Sequence, residues 1–191
     1  MILGKRIRLR AIEIDDLPLL QQWRNEPQIY ECFYEHEPLS LAMQRRWFDG
    51  FLQRNDEKFW IAETIKKPRP IGTICLTHID VRNRKAELGR VLIAPAAFRG
   101  GGYGRELCEL ALRYAFEHLN LHRVYLDVFA DNAAAVTLYR RLGFVEEGRL
   151  RRHIYAQGQY RDVLVFALLE EEYPAVTAKE ASQPRRAPPK S

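Results

Sequence analysis

The segment that most constrains this chain is Arg99-Gly100-Gly101-Gly102-Tyr103-Gly104. Glycines at this density let the backbone turn sharply and approach a ligand with no Cβ in the way. Before the cluster, residues 85–93 read as a strand, closed off by Pro95. After it, Leu107, Leu110, Ala111, Tyr114 and Ala115 recur at i, i+3, i+4, i+7 and i+8, which is one buried face of a helix. A helix starting on such a turn offers free N–H groups and the positive end of its dipole. Strand, glycine turn and helix start together predict a site for a diphosphate.

Two familiar diphosphate motifs do not fit. In G-x-G-x-x-G counted from Gly100 the third glycine would be Arg105, and counted from Gly102 it would be Leu107. The Gly-Lys-Ser/Thr of a P-loop is also missing. What remains is Arg99-x-x-Gly102-x-Gly104.

The other elements can be read from periodicity and punctuation. Ile7, Leu9 and Ala11 alternate with Arg6, Arg8 and Arg10, a half-buried first strand. Asp15 or Asp16 is expected to cap a helix with Pro18 in its first turn, ended by Asn25-Glu26-Pro27. An aromatic and acidic loop, Tyr30 with Glu31, Phe33, Tyr34, Glu35, His36 and Glu37, comes next. Ser40 caps a second helix with Leu41, Trp47, Phe48, Phe51 and Leu52 on its apolar face. Strands at 59–64 and 71–80 form a hairpin around Lys66-Lys67-Pro68-Arg69-Pro70. Residues 123–129 are a strand, and Asn132 caps a helix stopped by Gly143. Strands from Phe144 and over 160–169 finish the domain, joined through Gln157-Gly158. The order β-α-α-β-β-β-α-β-α-β-β gives an α+β fold over residues 1–173.

Residues 174–191 lack apolar periodicity and read as a disordered basic tail, rich in Pro and Ala. They carry +3 of the chain's net +5, so the folded part is nearly neutral and nucleic acid is not an expected partner. With 47% apolar and 29% charged residues the chain has a globular composition. No apolar run approaches the ~18 residues of a membrane span, and a charged N-terminus argues for a cytoplasmic location. Cys32, Cys75 and Cys108 are odd in number and widely spaced, so neither a disulfide framework nor a metal site is expected.

Arg99-x-x-Gly102-x-Gly104 after a strand ending near a proline resembles the acetyl-CoA pyrophosphate signature of the GNAT superfamily of N-acetyltransferases. Asn132-Ala133-Ala134-Ala135-Val136-Thr137-Leu138-Tyr139-Arg140-Arg141-Leu142-Gly143-Phe144 resembles that family's second block, N-x-x-A-x-x-L-Y-x-x-x-G-F. The resemblance covers residues 5–169. One departure is that Ala96, Ala97 and Phe98 separate Pro95 from Arg99, one residue more than usual, which predicts a bulged approach to an intact turn.

The resemblance implies a central mixed, mostly antiparallel twisted sheet, splayed at a β-bulge and flanked by helices. It implies acetyl-CoA as co-substrate, held by Val91, Leu92 and Ile93, by Arg99, Gly100, Gly101, Gly102, Tyr103 and Gly104, and by Asn132. Tyr139 stands at the family's general-acid position. Glu87 is the candidate base; on spacing it equally fits a strand-end charge paired with Arg90 or Lys85. Period 2 puts Glu87, Gly89, Val91 and Ile93 on one face. The reaction expected is direct attack of a primary amine, a small-molecule acceptor, with no metal. Within the family the layout resembles the branch of Rim-type, spermidine and amino-sugar acetyltransferases. The expected acceptor is an amino-sugar nucleotide or other small amine; the alternatives are a polyamine, a protein N-terminus, or no turnover at all in a silent acyl-CoA-binding module. Trp23, Tyr30, Phe33, Tyr34 and Glu35 are the candidate acceptor contacts. A homodimer is implied by the resemblance alone.

Overall fold

The computed structural model describes residues 1–31, 33–34 and 37–173. Strands β1 (Ile2–Leu3), β2 (Ile7–Ala11), β3 (Lys58–Thr64), β4 (Pro70–Asp80), β5 (Lys85–Ile93), β6 (Arg123–Phe129), β7 (Val145–Ala156) and β8 (Gln159–Leu169) form one sheet. Their spatial order is β1-β2-β3-β4-β5-β6-β8-β7, and every neighbouring pair is antiparallel except β5 with β6. The mixed, mostly antiparallel sheet is therefore as expected.

Helices α1 (Leu17–Arg24), α2 (Pro27–Tyr30) and α3 (Leu41–Leu52) precede β3, α4 (Tyr103–Arg113) follows β5, and α5 (Ala133–Arg141) follows β6. Two cores result. One packs Leu107, Ala111, Val136 and Tyr139 of α4 and α5 on Ala86, Leu88 and Leu126 of the sheet. The other packs Leu17, Leu20 and Trp23 of α1 and Phe48 of α3 on Phe59, Ile61 and Cys75. Each large side chain so buried contributes about 1.5–3 kcal/mol.

Local chemistry differs from the sequence reading in three places. Asp16 occupies the α1 N-cap position, yet its carboxylate forms a two-pronged pair with Arg10, 2.7 Å on each arm, and accepts the Glu13 N–H at 2.9 Å. The ion pair takes the oxygens a cap would use. Pro27 does not open a loop but starts α2, because proline at the first helical position gives up only an N–H that has no partner anyway. Helix α4 runs on into one π turn, Tyr114–His118. Ser40 and Asn132 do cap their helices, accepting Met43 and Ala135 N–H groups at 3.2 Å.

The largest correction concerns β5. Cys75 pairs with Gly89 and Thr73 with Leu92, so Arg90 and Val91 together oppose one residue of β4. This is a β-bulge, with Arg90 at φ +51. The extra residue inverts the alternation. Val91 and Ile93 join Ala86 and Leu88 on the α4 side, while Leu92 joins the opposite core. Glu87 and Gly89 therefore do not share a face with Val91 and Ile93.

Candidate active site

The parallel pairing of β5 with β6 covers only Lys85–Arg123, Ala86–Val124 and Glu87–Tyr125. Beyond Glu87 the strands part, and residues 88–93 of β5 keep no strand partner on that side. The bulge bends β5 away at this point, and the Thr73 hydroxyl pins it by donating to the Arg90 carbonyl at 2.9 Å. A cleft of about 560 Å³ fills the opening. It is lined by the whole of 87–93 and by Asp127, Val128 and Phe129 of β6, Asn132, Ala135 and Tyr139.

The gap runs through the sheet, so the two faces bring different chemistry to it. On the α4–α5 face, Tyr139 is 7% exposed and borders the cleft. Burial, then the nearby Cys108 and Tyr34, push its phenol well above the ordinary value, so it keeps its proton. On the other face stand Glu87, Tyr125 and Asp127. His78, at φ +50 on a second irregularity of β4, brings Nδ1 within 3.0 Å of Glu87 Oε2. Glu87 therefore pairs with His78, not with Arg90 or Lys85. Burial, then the Glu87 charge, raise the Asp127 carboxyl from its ordinary value. Tyr34 is raised by burial and by both acids.

The arginines at the cleft each have protein partners. Arg24 stacks on Phe33 at 3.9 Å and Arg90 lies over Trp47 at 5.1 Å. Arg54 faces Asp56 and Glu57, both at 3.4 Å. Arg99 turns back onto the carbonyls of Ile93 (3.0 Å) and Ala94 (2.6 Å) and onto Gln28 (3.1 Å), bracing the end of β5 instead of the glycine turn. Burial pushes the Cys75 thiol up to about 12, so this cleft thiol is no ready nucleophile.

After β5 the extra residue of the approach is absorbed in a 3₁₀ turn, Ala96–Phe98. Gly100 and Gly102 then take φ +73 and +80, a region that side chains disfavour, and Gly102 is the N-cap of α4. The glycine turn is formed as predicted, one residue beyond the cleft lining at Arg99. An unpaired strand edge leading to a helix N-terminus suits a long thioester cofactor: the edge can take an extended arm, and the turn a diphosphate.

Of the acceptor candidates, Phe33 and Tyr34 border the cleft. Trp23 does not: it is 5% exposed in the core under α1. Tyr30 ends α2 and is not part of the lining. Glu35, with Cys32, His36 and the tail, lies outside the described residues. Sequence reasoning missed Asp127, His78, Thr77 and Glu57. Asp127 had a signal, since Arg123, Tyr125, Asp127 and Phe129 alternate with an apolar set. His78 and Glu57 had none, because distant contacts bring them here.

Comparison with known proteins agrees with this geometry. The acetyltransferase (GNAT) domain family matches residues 6–145. Spermidine N(1)-acetyltransferase of Vibrio cholerae is 33% identical over 90% of this chain and 97% of its own length. The Escherichia coli K12 spermidine N(1)-acetyltransferase is 28% identical over 87% and 88%. The crystal structure of the Vibrio cholerae enzyme with CoA and spermine superposes with a TM-score of 0.82, covering 90% of this chain and 99% of that one. The family match, a bound CoA in a close structural relative and the split sheet with its glycine turn lead to one conclusion: the chain belongs to the GNAT acetyltransferase family and is an acetyl-CoA-dependent N-acetyltransferase.

Proposed function

We propose that the acceptor is a polyamine, acetylated on a primary amine. The observation that carries this reading is the pair of carboxylates on the acceptor side, Glu87 and Asp127, which border the cleft together and can each take an ammonium group. Such a surface attracts a polycation. A polyamine replaces the amino-sugar nucleotide, the acceptor that the sequence resemblance put first. The likeness to spermidine enzymes supports the same choice.

In this reading the amine enters on the Glu87 face and the thioester lies in the gap. Glu87, in contact with His78, takes the proton that the ammonium must lose before it can attack. The amine nitrogen then bonds to the acetyl carbon, the carbon–sulfur bond breaks, and the nitrogen gives its second proton to water, leaving the neutral amide. Tyr139, kept protonated by burial, supplies the proton to the leaving thiolate from the opposite face.

Thiol release from acetyl-CoA should be measured with spermidine, spermine, a 4-amino-sugar nucleotide and peptides with free N-termini. Turnover of the polyamines is expected. Turnover confined to the sugar nucleotide or the peptides overturns the reading.

A further inference from the structure

Arg6 lies on the approach to β2, outside the cleft, yet it reaches the glycine turn. Its Nε donates to Oε2 of Glu106 at 2.8 Å, and its Nη1 donates to the Gly101 carbonyl at 2.7 Å. Its guanidinium carbon sits 4.3 Å from the centre of the Tyr103 ring. A Cβ on Gly102 would stand 3.4 Å from Nη2. One side chain thus meets three consecutive residues of the turn.

Glu106, on the first turns of α4, holds Arg6 in place. Its Oε1 accepts the backbone N–H groups of Lys5 (2.7 Å), Arg6 (2.7 Å) and Ile7 (3.2 Å). The carboxylate is 10% exposed, and a Cβ at Gly4 would come within 2.6 Å of it. The Arg6 side chain is 44% exposed, but its charge-assisted bond to this enclosed carboxylate orients the guanidinium.

The consequence follows from peptide geometry. The described peptide bonds are trans, so the Gly101 carbonyl and the Gly102 N–H point in opposite directions. An arginine that draws the carbonyl toward β2 turns that N–H away from β2. With glycine on both sides, the peptide has other orientations of similar energy unless something holds it. A ligand that needs one orientation loses affinity in proportion to the time spent in the others.

We propose that Arg6 is a positioning residue for acetyl-CoA: clamped by Glu106, it holds the Gly101 carbonyl and so aims the Gly102 N–H at the cofactor's pyrophosphate. The role rests on acetyl-CoA as co-substrate and not on the identity of the amine, so failure of the polyamine reading leaves it intact.

Calorimetry without any acceptor tests it. Arg6→Ala is expected to weaken acetyl-CoA roughly ten-fold, the loss of one charge-assisted bond's worth of ordering. Dephospho-CoA, which keeps the pyrophosphate but lacks the 3′-phosphate, should weaken relative to wild type by the same factor as CoA. Should Arg6→Ala fail to fold, Glu106→Gln keeps an oxygen for the three N–H groups but gives up the ion pair, and it should weaken both ligands in the same direction. A folded variant with a lowered melting temperature and unchanged affinity overturns the proposal. So does a loss confined to CoA, which would make Arg6 a ligand of the 3′-phosphate.

Discussion

Two residues at the gap have separable tasks. Tyr139 is buried, keeps its proton to high pH and borders the cleft, so Tyr139→Phe removes a proton donor and almost no volume. Turnover should fall roughly a hundredfold, the usual worth of a positioned acid, while calorimetry finds acetyl-CoA affinity nearly unchanged. Equal loss of affinity would make the ring a packing element only. In the polyamine reading, Asp127 faces the acceptor. Its carboxyl is raised by burial and by Glu87, so as pH falls it becomes neutral earlier than an ordinary aspartate does. Below that point the cleft loses one negative charge, and the polyamine KM should rise as pH falls. Asp127→Asn should show the high KM at all pH values with that limb of the profile gone. A KM that stays low in the variant would remove Asp127 from acceptor binding.

At the scale of elements, the two central strands were legible from different signals: β6 from its β-branched and aromatic residues, and β5 from its apolar end and the proline that follows it. β5 and β6 have the ranges read from the sequence. The bulge was not legible. The inversion at Arg90–Val91 is set by the register of β5 against β4, which the pattern of one strand does not carry. α2 was missed because Pro27 has two opposite meanings, ending one helix and starting the next. Gly72 marks how closely β4 approaches the bulged strand: a Cβ there would fall 2.0 Å from the Leu92 carbonyl oxygen. Gly72→Ala must therefore push β5 aside. A loss of about 3 kcal/mol in denaturant unfolding is expected, with weakened acetyl-CoA binding in the fraction that folds. Wild-type stability would mean that the strands have room to separate.

Across the whole molecule, buried carboxylates tie the N-terminal strands to the helices that carry the site. Glu106 joins the start of β2, at Ile7, to α4, and Asp16 joins β2 to the start of α1. Burial alone would raise both acids. The bonds from Arg6, Lys5 and Ile7 to Glu106, and from Arg10 and Glu13 to Asp16, outweigh it and hold both below their ordinary values. A carboxylate lowered on folding stabilises fully above its unfolded value, and that contribution disappears as pH falls through the folded one. The melting temperature should therefore hold down to about pH 5 and decline below about pH 4. Because Glu106 also orders the glycine turn through Arg6, acetyl-CoA affinity should decline in the same window, ahead of global unfolding. Glu106→Gln separates the two effects. With no charge there to titrate, its affinity should begin lower and vary less with acid, while Asp16 keeps part of the acid sensitivity of its stability. Parallel acid profiles of affinity in the wild type and this variant would show that the cradle is ordered without help from β2.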